Sequence, residues 1–189
     1  MELFRKIRLK MGRLILSKKV SRLKRKIYYS NFNAIKNIGI VWDASRTAEF
    51  SSLNRFHQRM QEIKIDVTIF GYFPGKNLPD QYTAIRYLTC IRKDEVNKLY
   101  HPVSAEANSF INNPFDVLID INFEKHFPLV YVALLSMARF KVGLYDNESE
   151  EYPFDLMMDI KNPVDIDGYL TKVIHYLEMI KDKTIKKVD

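Results

Sequence analysis

The chain has 189 residues, 47% of them hydrophobic and 13% aromatic, with six Gly and seven Pro. It can bury a core, which excludes wholesale disorder and collagen-like or low-complexity chains. Cys90, its single cysteine, excludes a disulfide scaffold and a multi-cysteine zinc site, and the sequence has no apolar run long enough to span a membrane as a helix. The net charge of +7 is unevenly placed: eleven Lys and Arg stand against Glu2 alone in residues 1–30, and the rest of the chain is slightly acidic.

Those eleven cations are Arg5, Lys6, Arg8, Lys10, Arg13, Lys18, Lys19, Arg22, Lys24, Arg25 and Lys26. Basic and apolar residues interleave throughout, unlike the separate charged and apolar blocks of a secretory signal, so the expected address is the cytoplasm. With a helical period, Leu3, Phe4, Ile7, Met11, Leu14 and Ile15 share one face, and Leu16, Val20, Leu23 and Ile27 share a nearly opposite one. The change of phase near Ser17 predicts two amphipathic stretches, or one helix kinked between them. In each stretch most cations lie away from the apolar stripe. A basic amphipathic helix of this kind suits an anionic membrane surface, here the inner face of the cell membrane. Its alternatives are RNA phosphates, or packing on its own domain, a protein partner or a second copy.

Past a boundary at Asn31–Asn37, residues 36–182 read as one α/β domain. Ile38–Asp43 is a short apolar run ending in Asp, a buried first strand. Ser45 or Thr47 then caps a helix carrying Leu53, Phe56, Met60 and Ile63. Ile65–Tyr72, rich in β-branched residues, is a second strand, and Phe73–Pro79 is a loop with two Pro and one Gly. Arg86–Ile91 is a third strand, Asp94–Tyr100 is irregular or a short helical turn, and Val103–Ile111 is a short helix. Phe115–Asp120 is the clearest strand. Leu129–Met137, apolar on every side, is a buried helix. Phe140–Tyr145 and Asp155–Ile160 are further strands, Ile166–Ile180 is a closing amphipathic helix, and Lys181–Asp189 is a polar tail. Strands alternating with helices predict a Rossmann-like, three-layer fold with a mostly parallel sheet, preceded by the basic helical arm.

In such a sheet, ligands bind beyond the carboxyl ends of the strands. The candidate ligand-binding residues are therefore Asp43, Ser45, Arg46 and Thr47 after the first strand, and Asp120, Asn122 and His126 after the fourth. Asp146 and Asn147 follow the next strand. Ser45, Thr47 and free helix N–H groups suggest an anion pocket, the alternative being ordinary turn and cap contacts. His126, with Glu124 two residues before it and Asp120 behind, has the makings of a general base oriented by a carboxylate. No Gly-rich phosphate loop and no G-x-S-x-G nucleophile motif is present, and Asp43-Ala44-Ser45 lacks the second Asp of a D-x-D phosphatase pattern. No His pair has metal-ligand spacing. No catalytic residue, metal or cofactor is assigned.

The segments Phe115–Asn122, Phe127-Pro128-Leu129, Ser136–Gly143 and Asp155–Asp159, with the basic arm and the Gly39–Ala44 strand, resemble an uncharacterised family of small Bacteroidetes proteins. That resemblance covers nearly the whole chain and implies no activity. Ala138, Arg139 and Gly143 after the Asp120 strand are similar to the N-terminal half of heptosyltransferase-type glycosyltransferases, which implies a Rossmann-like half domain. The reading that follows is a non-enzymatic cytoplasmic adaptor attached to an anionic surface by its arm. Its alternative is a domain or enzyme binding a phosphorylated or nucleotide-sugar ligand at the strand ends.

Overall fold

The computed structural model describes residues 2–29, 31–145, 154–160 and 165–180. In chain order the elements are α1 (Glu2–Ser21), β1 (Asn37–Asp43), α2 (Phe50–Glu62), β2 (Asp66–Phe73), β3 (Leu88–Arg92), α3 (Ala105–Asn112), β4 (Val117–Asp120), α4 (Phe127–Leu135), β5 (Phe140–Leu144), β6 (Leu156–Met158) and α5 (Ile166–Met179). The six strands form one sheet in the order β3-β2-β1-β4-β5-β6, and every neighbouring pair is parallel. This is the doubly wound Rossmann order, with the switch in winding direction between β1 and β4.

Period-two alternation along the strands builds two cores. Ile38, Ile40 and Trp42 of β1 point to the face covered by α2, through Leu53 and Phe56, and by α5, through Tyr169, Leu170 and Val173. Val41, Phe70 and Leu118 point to the other face, under Phe110 of α3 and Leu129 and Val132 of α4. Each of these fully buried side chains contributes roughly 1.5–3 kcal/mol. Gly39 lies against Phe115 and Leu118, where a Cβ would come within 2.8 Å of the Phe115 ring.

α4 is buried on all sides, from Pro128 to Leu135. One side meets the sheet. The other side, formed by Val130, Tyr131, Leu134 and Leu135, is covered by Leu16 of α1 with Val20 beside it. The arm is thus a further layer outside α4.

Here the structure corrects the reading of residues 1–30. There is no second helical stretch: α1 runs unbroken through the phase change at Ser17 and ends at Ser21, and Leu23 and Ile27 lie in the extended segment that follows. The opposite stripe begins inside α1, because Gly12, Leu16 and Val20 are the face that packs on the domain. The extended segment is held by the Tyr28 N–H donating to the Arg139 carbonyl at 3.0 Å, and by Arg25, which grips Asp155 with two bonds of 2.7 and 2.8 Å. The strand starts differ from their apolar runs by up to two residues: β1 begins one residue earlier, at Asn37, while Arg86 and Tyr87 precede β3 and Phe115 and Asp116 precede β4. Asp146, Asn147 and the tail 181–189 lie outside the described residues.

Candidate functional site

β1 and β4 lie side by side, with Val41 paired to Asp120, so the loops after them open on either side of the switch point. Asp43 ends β1 and is buried. Its Oδ1 accepts the Ser45 N–H at 3.0 Å and the Ser45 hydroxyl at 2.7 Å, a closed Asx turn. Its Oδ2 lies 3.1 Å from Nε2 of His126, the residue preceding α4. The His126 side chain keeps about a third of its surface open, beside the ring of Tyr72. In its neutral form this imidazole carries its proton on Nε2, toward Asp43, and leaves Nδ1 as an acceptor.

Asp120 ends β4. Its Oδ1 accepts both the N–H of Asn122 at 3.0 Å and its Nδ2–H at 2.6 Å. Burial pushes the Asp120 carboxyl up to about 6, against the lowering effect of the Asn122 hydrogen bonds and Lys125. Asn122 also donates from Nδ2 to the Val41 carbonyl, while its Oδ1 is shut off from solvent with no hydrogen-bond partner among the described residues. The hydroxyl of Tyr169 donates to the Asp120 carbonyl.

Residues on three separate segments are therefore brought to one edge of the sheet. The carboxylate that orients His126 is Asp43, across the switch point, while Glu124 is exposed to solvent. Neither Ser45 nor Thr47 caps α2: Ser45 is turned back onto Asp43, and Thr47 opens a short 3-10 turn and stays exposed. Arg46 pairs with Glu49 at 2.6 Å and lies over the Phe123 ring. The N–H groups of Ala44, Ser45 and Arg46 donate to Tyr72, Asp43 Oδ1 and the Asp43 carbonyl respectively, so the turn after β1 directs these donors inward. Burial pushes the Cys90 thiol up to about 12, away from the thiolate form. Among the described residues, no group of three His, Cys, Asp or Glu side chains could hold a metal ion.

The arm carries the second candidate surface. Leu3, Phe4, Ile7, Met11, Leu14 and Ile15 are all exposed, and they stand on the side of α1 opposite Gly12, Leu16 and Val20. Helical geometry puts Lys6 and Lys10 along one flank of that exposed stripe, with Arg13 farther round, and Arg8 and Lys19 along the other, while Arg5 falls on the side of Gly12 and Leu16. Three of the arm's cations are engaged by the domain. Arg8 donates to the Lys98 carbonyl and lies over the Tyr100 ring, Lys19 donates to the Tyr131 hydroxyl at 2.6 Å, and Arg25 holds Asp155. Arg5, Lys6, Lys10, Arg13, Lys18, Arg22, Lys24 and Lys26 are exposed. No helix among the described residues is long and apolar enough to cross a membrane.

The model of a family of unknown function, DUF6913, matches residues 8–180, from within the docked arm to the end of α5. No curated protein and no solved structure matches the chain.

Proposed function

The chain belongs to DUF6913, a family of unknown function, and we propose that it is a peripheral protein of the inner membrane surface, held there by α1 and carrying its α/β domain as a cytoplasmic adaptor. One observation carries this reading: a helix already docked through one face presents six large apolar side chains to solvent on the other, between two rows of cations. A face that merely completed the fold would be covered or polar. Each such side chain entering the headgroup–acyl boundary contributes up to roughly 1.5–3 kcal/mol. Each nearby Lys or Arg adds about 1 kcal/mol against an anionic leaflet. The charge and the apolar stripe act on one surface.

Co-sedimentation of the full chain with phosphatidylcholine–phosphatidylglycerol vesicles tests this. Binding should weaken in high salt, fall on pure phosphatidylcholine vesicles, and be lost in an Ile7→Glu/Met11→Glu variant that leaves the docked face intact. A wild-type chain that stays in the supernatant overturns the reading. Salt-sensitive RNA binding that survives the same double substitution would assign the arm to nucleic acid instead.

A second reading rests on the Asp43–His126 pair across the switch point. An imidazole oriented by a buried carboxylate, at the place where open α/β sheets take ligands, supports a small-molecule site, phosphorylated or sugar-nucleotide in class. Chemical-shift changes at His126 on adding inorganic phosphate or uridine diphosphate would support this reading, and an unmoved His126 with both would count against it.

A further inference from the structure

We propose that α1 binds the bilayer without leaving its domain, lying flat as a fixed slab between the lipid headgroups and α4. This inference rests on membrane attachment through α1 and specifies the partner's geometry: an anionic bilayer met by a rigid face, with the α3–α4 layer toward the lipid and the α2–α5 layer away from it.

The docked face is built for permanence. A Cβ on Gly12 would come within 2.6 Å of the Leu99 carbonyl oxygen and 3.0 Å of the Phe127 ring, so α1 lies close against that loop and against the start of α4. Nε2 of His101, a buried ring stacked on Tyr131, sits 3.1 Å from the Gly12 carbonyl oxygen and donates to it. Leu16 is buried among Val130, Tyr131, Leu134 and Leu135. Lys19 reaches the Tyr131 hydroxyl, and the chain leaving α1 is clasped by the nearly buried Arg25–Asp155 pair.

The outward face takes no part in these contacts. Its stripe can enter lipid with every docking contact intact. Peeling α1 away would instead strip the cover from an α4 that is apolar all round and would break those contacts. The cations on both flanks of the stripe are the complement expected for a helix lying in the plane of an anionic leaflet.

The direction of α1 adds a consequence. Gly12 touches Leu99, His101 and Phe127, at the carboxyl ends of the strands, whereas Arg25 and Tyr28 meet Asp155 and Arg139, at the amino end of β5. The first turns of α1 therefore lie toward the edge that carries His126, which precedes Phe127. α1 is about 10 Å thick and α4 adds about as much, so the Asp43–His126 pair would stand about two helix layers from the headgroups, at the edge of the sheet toward which the first turns of α1 point.

The test locks α1 onto the domain. Arg8 contacts the Lys98 carbonyl, and both side chains are exposed. An Arg8→Cys/Lys98→Cys chain in a Cys90→Ala background can therefore be joined by a short bis-maleimide. Phosphatidylcholine–phosphatidylglycerol vesicles are then offered to the cross-linked and the unlinked protein. The slab geometry predicts affinities within about twofold of each other. Binding by the unlinked protein that is abolished by the cross-link overturns it, since α1 would then have to leave the domain. Failure of the wild-type chain to bind would instead remove the attachment reading beneath it. Circular dichroism of the unlinked variant, compared with wild type, verifies that the substitutions leave the fold in place.

Discussion

Two leucines two positions apart on α1 should respond in opposite ways to the same truncation. Leu16 is 3% exposed and packs on α4, whereas Leu14 is 63% exposed on the outward stripe. Removing a buried leucine side chain to alanine costs roughly 2–5 kcal/mol, depending on how far the site collapses. Leu16 sits in the small outer cluster rather than in a main core, so about 2 kcal/mol is expected. A domain of 150–250 residues shifts its Tm by roughly 2–4 °C per kcal/mol, so Leu16→Ala should lower Tm by about 4–8 °C. Cleavage by trypsin within residues 5–26 should become faster as α1 opens. Leu14→Ala should stay within about 0.5 kcal/mol of wild type in the same melt, as surface substitutions do. On vesicles of phosphatidylcholine and phosphatidylglycerol the order reverses. Leu14→Ala removes apolar area from the lipid-facing stripe and should weaken binding by about tenfold, equivalent to about 1.4 kcal/mol. Equal melts for the two variants, or a larger loss of stability from Leu14→Ala, would refute the assignment of the two faces.

Two further substitutions probe the buried charges. Lys141 is buried, with Nζ donating to the Leu134 carbonyl, and burial, followed by the nearby Arg25, lowers its pKa to about 7. An unfolded lysine titrates near about 10.4, so between the two values the unfolded chain holds more protons. Stability is therefore greatest above the unfolded value and is lost as pH falls toward 7. Lys141→Met should flatten that slope, and wild-type and variant Tm curves running parallel from about pH 7 to about pH 9.5 would contradict this account. Asp43→Asn keeps an acceptor oxygen for Ser45 but turns an NH2 group toward Nε2 of His126. The ring should move its proton to Nδ1, read from its 15N shifts, with a stability loss of about 1–3 kcal/mol. An unchanged tautomer would mean that Asp43 does not orient the ring.

The fold was legible because its signals are local. Apolar runs such as Ile38–Asp43 and Phe115–Asp120 mark buried parallel strands, and the spacing of Leu53, Phe56 and Met60 marks the buried side of α2. The alternation of strand and helix then restricts the topology. The candidate site was legible residue by residue but not as a pair. His126 and Asp43 are both visible as polar residues at strand or helix ends, yet their contact depends on β1 lying next to β4, which no local pattern reveals. Sequence proximity favoured Glu124, and the sheet order delivered Asp43. The Arg25–Asp155 clasp joins residues 130 positions apart and gives no signal at all in an arm already crowded with cations.

The arm's phase change at Ser17 had a different physical origin from a kink. A helix with two apolar faces produces the same sequence pattern as two helices with one face each, provided the two stripes are offset along the chain. Within α1, Leu3–Ile15 and the pair Leu16 and Val20 have that offset, while Leu23 and Ile27 lie past its end. What separates the cases is the partner. Phe127–Leu135 is apolar on every side, and a helix of that kind must be covered on the side turned away from its sheet. In this fold α1 provides that cover, through Gly12, Leu16 and Val20. Deleting residues 1–30 would therefore expose Val130, Tyr131, Leu134 and Leu135, and a truncated chain would stick to lipid or to itself for reasons unrelated to the arm. The surface role of α1 has to be read from substitutions on its outward face in the intact chain, because the same helix is both part of the core's wall and the surface the wall presents.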